Sequence, residues 1–223
     1  MARSGVFAKS LVTFRFVVLA LSCLLTAACE SDKKSEPLGA GHDFGNNSSE
    51  VVLAVGDSIT AGDYNETPYP DQLAVMIGKR VVNVGVSGSV SAFGAEMMNT
   101  HLASIRPGFV VILYGANDAT LGRDIDSVIE NIRSMVRDCK ANQSIPILCT
   151  LTPRTGSRII HQDRVDAISA GIRAVAREEK VVLADVAAAF RGKEETLISS
   201  DGLHPNDMGA FVIAETVANV FNL

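Results

Sequence analysis

From residue 51 onward the sequence predicts a doubly wound α/β sandwich built on a parallel sheet. Three observations carry that prediction. Short, continuous apolar runs recur along the chain, too uniformly apolar for a sheet with one wet face. Amphipathic helical patterns separate them. The segments richest in Gly, Ser, Asn, Asp and His follow the runs, where such sheets bind ligands outside the strand carboxyl ends.

The first strand is predicted at Val51 to Val55 and is ended by Gly56. The others are Val81 to Val84, Phe109 to Tyr114, Ile145 to Leu151 and Val181 to Val186. Ile125, Val128, Ile129, Ile132, Met135 and Val136 recur on one helical face, as do Val165, Ile168, Ile172, Val175 and Ala176. Weaker helical patterns cover Tyr69 to Ile77, Val90 to Ile105 and Asn206 to Phe221.

The chain has 223 residues, 47% hydrophobic and 20% charged, which is globular composition and enough for one domain with a real core. Lys and Arg total 20 against 25 Asp and Glu, for a net charge of -5. An acidic chain without a basic stripe, with no Trp and three Tyr, lacks the electrostatic and stacking footprint of a nucleic-acid binder.

The N-terminus reads as an address. Arg3, Lys9 and Arg15 precede an apolar run from Phe16 to Ala28 that ends in Leu25-Thr26-Ala27-Ala28-Cys29. A basic start, a short apolar stretch and small residues at the exit predict a secretory signal over residues 1–28. The thirteen-residue run is short for a bilayer span. Cys29 after small residues resembles the lipobox of bacterial lipoproteins, in which that Cys becomes the lipidated first residue. Thr26 stands where Leu is commonest, and Cys23 is a weaker competitor. A plain cleaved signal and an uncleaved anchor are the other readings. Residues 29–49 follow, rich in Ser, Lys, Glu, Asp, Gly and Asn, and are predicted to be a flexible tether that includes His42. The folded domain is predicted over 50–223. Glu30, in place of an Asp linked to inner-membrane retention, favours the outer membrane. Cys139 and Cys149 are read as two buried thiols, with a bridge left open. No C-x-x-C or H-E-x-x-H motif supports a metal site.

Four segments after predicted strands or before the last helix hold the chemistry: Gly56-Asp57-Ser58-Ile59, Gly85-Val86-Ser87-Gly88, Gly115-Ala116-Asn117-Asp118 and Asp201-Gly202-Leu203-His204-Pro205. Ser58 needs a base to act as a nucleophile. Of four His, His42 lies in the tether, His101 in a predicted helix and His161 before another. His204 alone sits in a turn-rich loop, with Asp201 three residues earlier, a spacing that lets a carboxylate reach Nδ1. The N–H groups of Ser58 and Gly88 and the Asn117 amide are candidate oxyanion donors. Taken singly, each segment reads as readily as a turn or a helix cap.

Taken together and in order, they resemble the SGNH branch of the GDSL esterase/lipase superfamily, with Ile59 in place of the Leu that named the group. Tyr69-Pro70 and Leu73 add to the likeness, which covers roughly residues 51 to 222. The resemblance implies a three-layer α/β/α sandwich with a five-stranded parallel, flavodoxin-like sheet. It implies Ser58 as nucleophile, His204 as general base and acid, Asp201 as its orienting partner, and an oxyanion hole from Ser58, Gly88 and Asn117. It implies no metal or organic cofactor, and hydrolysis of carboxylic esters or thioesters through an acyl-enzyme. Asp57, Asp118 and Asp185 are then structural.

Length and loop sizes look most like the periplasmic thioesterase, lysophospholipase and arylesterase group. In that group the acyl pocket comes from loops matching Ala119 to Arg123 and Thr152 to Gln162. In the second loop, Arg154, Arg158, Ile159 and Ile160 form either an acyl and head-group site or a solvated loop. A monomer acting on a small-molecule or lipid ester, held at the membrane by an N-terminal lipid, is expected. Carbohydrate O-acetyl ester hydrolysis on the same fold is one alternative, and a non-catalytic binding lipoprotein is another. A flavodoxin-like cofactor binder lacks support, since no G-x-G-x-x-G or P-loop motif is present.

Overall fold

The computed structural model describes residues 36–221. The predicted signal over residues 1–28, with Cys23, and residues 29–35, with Cys29, lie outside the described residues. In chain order the elements are β1 (Ser48–Gly56), α1 (Ser58–Ala61), α2 (Tyr69–Ile77), β2 (Arg80–Asn83), α3 (Ser91–Ile105), β3 (Pro107–Leu113), α4 (Ala116–Thr120) and α5 (Ile125–Ala141). There follow β4 (Ile145–Cys149), a 3-10 turn (Gly156–His161), α6 (Gln162–Glu179), β5 (Val182–Ala184), α7 (Val186–Phe190), α8 (Glu194–Leu197) and α9 (Asp207–Phe221).

The five strands form one sheet in the order β2-β1-β3-β4-β5, every neighbouring pair parallel. All seven residues of β3 and the last five of β1 are buried, which is why these strands read as continuous apolar runs. Helices α3, α5 and α6 pack side by side in one layer, and α2 packs with α9 in the other. α5 turns Val128, Ile132, Met135, Val136 and Cys139 inward, and α6 does the same with Val165, Ile168, Ile172 and Val175. Each such side chain contributes about 1.5–3 kcal/mol of burial. Strand order reverses direction between β1 and β3, so the crevice outside their carboxyl ends is the switch point where doubly wound sheets bind ligands.

Several boundaries depart from the sequence prediction. Strand β5 stops at Ala184, because the Asp185 carboxylate accepts the Ala188 N–H and turns Val186 into the start of α7. Strand β4 stops at Cys149, and beyond it the Leu151 N–H is taken by the Ser169 hydroxyl of α6. The short helices α1, α4, α7 and α8 carry too few apolar repeats to have been read from periodicity. Cys139 and Cys149 are both buried free thiols, with Cys139 Sγ 3.9 Å from Met98 Sδ.

The largest departure is in the predicted tether, which is packed from residue 37. The Phe44 ring sits edge-on to Phe109 at 5.4 Å, the Leu38 N–H donates to the Phe221 carbonyl at 3.2 Å, and His42 Nε2 bonds the Gln143 carbonyl at 3.1 Å. Segment composition averages away two apolar residues, Leu38 and Phe44, that find an uncovered apolar edge at the amino ends of β1 and β3. Strand β1 also begins earlier than predicted, at Ser48. The chain therefore joins the sheet at the end opposite the strand carboxyl termini. Phe44→Ala should lower stability by about 1–2 kcal/mol, less than a fully buried Phe because the ring is half-buried. It should also open residues 37–47 to limited proteolysis, while urea denaturation with an unchanged midpoint would show that this packing contributes nothing.

Candidate active site

β1 ends at Gly56 and the chain turns into α1, with Asp57 as the cap: its Oδ1 accepts the Ile59 N–H at 3.0 Å. This places Ser58 in the first helical turn, where its own N–H has no intrahelical acceptor. The Ser58 hydroxyl lies 2.9 Å from His204 Nε2, across 146 residues of sequence. His204 Nδ1 lies 2.5 Å from Asp201 Oδ2. Asp201 Oδ1 accepts the backbone N–H groups of Leu203 and His204 at 2.9 and 3.0 Å, so the carboxylate shapes its own loop as well as holding the ring. With Nδ1–H directed at the carboxylate, Nε2 is the acceptor for the Ser58 hydroxyl. Burial alone would raise the Asp201 carboxyl, but the His204 hydrogen bond and the two loop N–H donors outweigh it and hold Asp201 below the usual carboxylate range. Ser58 and His204 are buried, and Asp201 is partly exposed.

The loop after β2 is pinned beside this pair. Val86 N–H donates to the Gly56 carbonyl at 3.0 Å, and Gly85 sits so close to α1 that a Cβ there would come within 2.3 Å of the Ala61 nitrogen. Gly88 has a φ of 78°, in the region that favours glycine, and its N–H makes no hydrogen bond among the described residues. A Cβ at Gly88 would meet open space, so backbone conformation, not crowding by protein, calls for glycine there. Asn117, in α4, donates one amide hydrogen to the Ser89 carbonyl at 2.9 Å and keeps the second. Asp118 binds the start of α3, accepting from Ser91 N–H at 2.9 Å and from its hydroxyl at 2.8 Å. Asp185 pairs with Arg173 at 2.7 Å besides capping α7.

A family model described as the GDSL-like Lipase/Acylhydrolase family matches residues 54–210, which span all four of these segments. The chain belongs to this family of ester hydrolases. Esterase TesA of Pseudomonas aeruginosa is 30% identical to this GDSL hydrolase over 168 residues, covering 70% of the chain and 80% of the relative. Thioesterase 1/protease 1/lysophospholipase L1 of Escherichia coli (strain K12) is 26% identical over 176 residues, covering 76% and 82%. Among solved structures, Axe2, an acetylxylan esterase from Geobacillus stearothermophilus, superposes with a TM-score of 0.70 at 22% identity, covering 79% of this chain and 96% of that one.

The loop after β4 corrects part of the sequence reading. Arg154 is not a head-group ligand: it is 1% exposed, and its guanidinium donates to the carbonyls of Ala116 at 3.0 Å and Thr152 at 3.3 Å. Ile159 and Ile160 point outward, 55% and 77% exposed on the 3-10 turn. This loop still borders the site, since the Thr155 N–H donates to the Gly202 carbonyl at 3.1 Å. Tyr64, which the sequence did not single out, stacks on the His204 ring. Only its place six residues after Ser58 could have drawn attention to it. Among the described residues no cluster of three or more His, Cys, Asp or Glu side chains is placed to hold a metal ion.

Next to Ser58 in the chain, Asp57 is buried, and so is Arg154 of the loop after β4. Asp57 Oδ2 and Arg154 Nε are both buried without a hydrogen-bond partner. Burial pushes the Asp57 carboxyl from its ordinary 3.8 up to about 7, against the pull of the Ile59 N–H and the Arg154 guanidinium. Burial likewise brings Arg154 down to about 10. Between about pH 4 and pH 7 the folded protein thus holds a proton on Asp57 that the unfolded chain has released. This contribution to stability is fully present below that window and is lost as the pH rises through about 7. Asp57→Asn cannot ionise, so wild-type stability relative to this variant should fall across the window in urea titrations. A difference that stays constant with pH would mean that folding does not shift the Asp57 carboxyl.

Proposed function

We propose that this serine ester hydrolase cleaves carboxylic esters or thioesters with Ser58 as nucleophile, His204 as general base and then acid, and Asp201 as the orienting carboxylate. The observation that carries this reading is the unbroken hydrogen-bonded chain from Ser58 through His204 to Asp201. Ser58 Oγ attacks the acyl carbon as its proton passes to Nε2, and Asp201 stabilises the resulting imidazolium. The carbon–oxygen or carbon–sulfur bond then breaks, and the leaving group takes the proton from Nε2. Water, deprotonated by His204, attacks the acyl-enzyme; the carboxylic acid departs and Ser58 regains its proton. The Ser58 and Gly88 N–H groups and the second Asn117 amide hydrogen supply the oxyanion donors, each worth about 2.7–4 kcal/mol of barrier.

An acyl ester or thioester substrate draws support from relatives named for esterase, thioesterase and lysophospholipase activity, matched over four-fifths of their length. The O-acetyl ester reading rests on a likeness of fold alone. The domain works as an exported monomer held in the cell envelope by a lipid on Cys29, with the outer membrane favoured by Glu30.

Ser58→Ala should abolish turnover of p-nitrophenyl esters without changing the melting temperature, and a fluorophosphonate should label wild type at Ser58 alone. Wild-type hydrolysis by Ser58→Ala would sink the mechanism. Asn117→Ala should lower kcat about 100-fold or more with little change in KM, as befits a donor acting on the transition state. A change confined to KM would remove Asn117 from that role. Across an acyl series from acetate to palmitate, rates should rise to medium chains; strict preference for acetate would move the assignment to O-acetyl esters. Cys29→Ser should abolish labelling by radioactive palmitate and shift the protein from the membrane pellet to the soluble fraction, whereas unchanged labelling would exclude Cys29 as the acceptor.

A further inference from the structure

Between α1 and α2 the chain passes through residues 62–68, and within this segment the Tyr64 ring lies on the His204 imidazole, with centroids 3.6 Å apart and planes inclined by 16°. Tyr64 is 57% exposed, and its hydroxyl makes no hydrogen bond among the described residues. Neither burial nor the phenol explains where the ring sits; its neighbours in the segment do. The Ser87 hydroxyl donates to the Asp63 carboxylate, Asn65 Nδ2 donates to the Pro205 carbonyl at 3.0 Å, and Glu66 N–H donates to Asp207 Oδ1 at 2.9 Å. The segment is thereby strapped to the loop after β2 on one side and to the residues just after His204 on the other.

An imidazole bonded through both nitrogens can still tilt about the line joining them. Asp201 and Ser58 define that line, and neither opposes the tilt. A ring stacked on the imidazole face does. When Nε2 takes the Ser58 proton, the same face meets the positive charge, an arrangement aromatic rings favour. We infer that Tyr64 is a positioning residue for His204, which holds the imidazole plane in line with Ser58 and faces the imidazolium during acyl transfer. The inference deepens the proposed Ser58, His204 and Asp201 reading and rests on it. It assigns the work to the ring and none to the hydroxyl.

The test compares Tyr64→Leu and Tyr64→Phe with wild type on p-nitrophenyl butyrate, and places Tyr64→Leu in the His204→Ala background. Tyr64→Leu should lower kcat about 10-fold, with KM held within about twofold and the melting temperature unchanged, and Tyr64→Phe should restore most of the loss. In His204→Ala the leucine should cost nothing further, because a residue that acts through His204 has no route once that ring is gone. Independently of activity, the His204 ring protons should show an upfield ring-current shift by NMR in wild type that is absent in Tyr64→Leu. Leucine matching phenylalanine in kcat, an equal loss in both backgrounds, or ring protons unmoved by the leucine would each overturn the assignment. Ser58→Ala, assayed alongside, reports on the nucleophile: turnover that survives there defeats the catalytic reading, whereas leucine equal to phenylalanine with Ser58→Ala inactive defeats the role of Tyr64 alone.

Discussion

The hydrogen bond between the Ser58 hydroxyl and His204 Nε2 is the contact on which the candidate site depends. It joins residues 146 apart at 2.9 Å, so no local preference can make it. It forms because β1 and α9 run in opposite directions on a fully parallel sheet, which brings the exit of the first strand and the entry to the last helix to the same rim. Asp201 is a different case: it lies three residues from its partner and builds its own loop with two N–H acceptances. The long-range contact depends on the sheet, and the short one only on its turn.

The rim is stiffened from below at a local cost. Asp57 caps the helix that carries Ser58, and Arg154 closes over Ala116 and Thr152, yet each leaves one polar atom buried and unpartnered. Such groups weigh against stability unless paired. The apolar layers on either side of β1 and β3 supply the offsetting burial. Asp118 and Asp185, by contrast, are well satisfied: one ties α4 to α3, the other bridges Arg173 and the start of α7. Of these three carboxylates, only Asp57 leaves an oxygen buried without a hydrogen-bond partner, and it adjoins Ser58.

Strand and helix existence was legible wherever a residue's partner was the core. Val128, Ile132 and Val136 face inward because a 3.6-residue period places them on one stripe, and that period is written in the chain. The candidate residues were legible for a related reason: Ser58 and Asn117 stand just after apolar strand runs, and Asp201 and His204 stand in the turn-rich segment before the last helix. Arg154 was misread because charge by itself predicts exposure, whereas two carbonyls and a buried carboxylate draw it inside. The predicted tether was misread because two apolar side chains in a polar stretch have no value until a surface exists to receive them.

The amino-acid sequence by itself determined the alternation of strands and helices and the family, and it singled out Ser58, Asn117, Asp201 and His204 as candidates, since each depends on local spacing or on residue type. Tertiary structure alone decided that Phe44 packs on Phe109, that Arg154 is buried against the Ala116 carbonyl, and that an exposed Tyr64 covers the imidazole. Those three contacts join distant segments, and their energies depend on the geometry of the assembled sheet, which no short window of the chain contains.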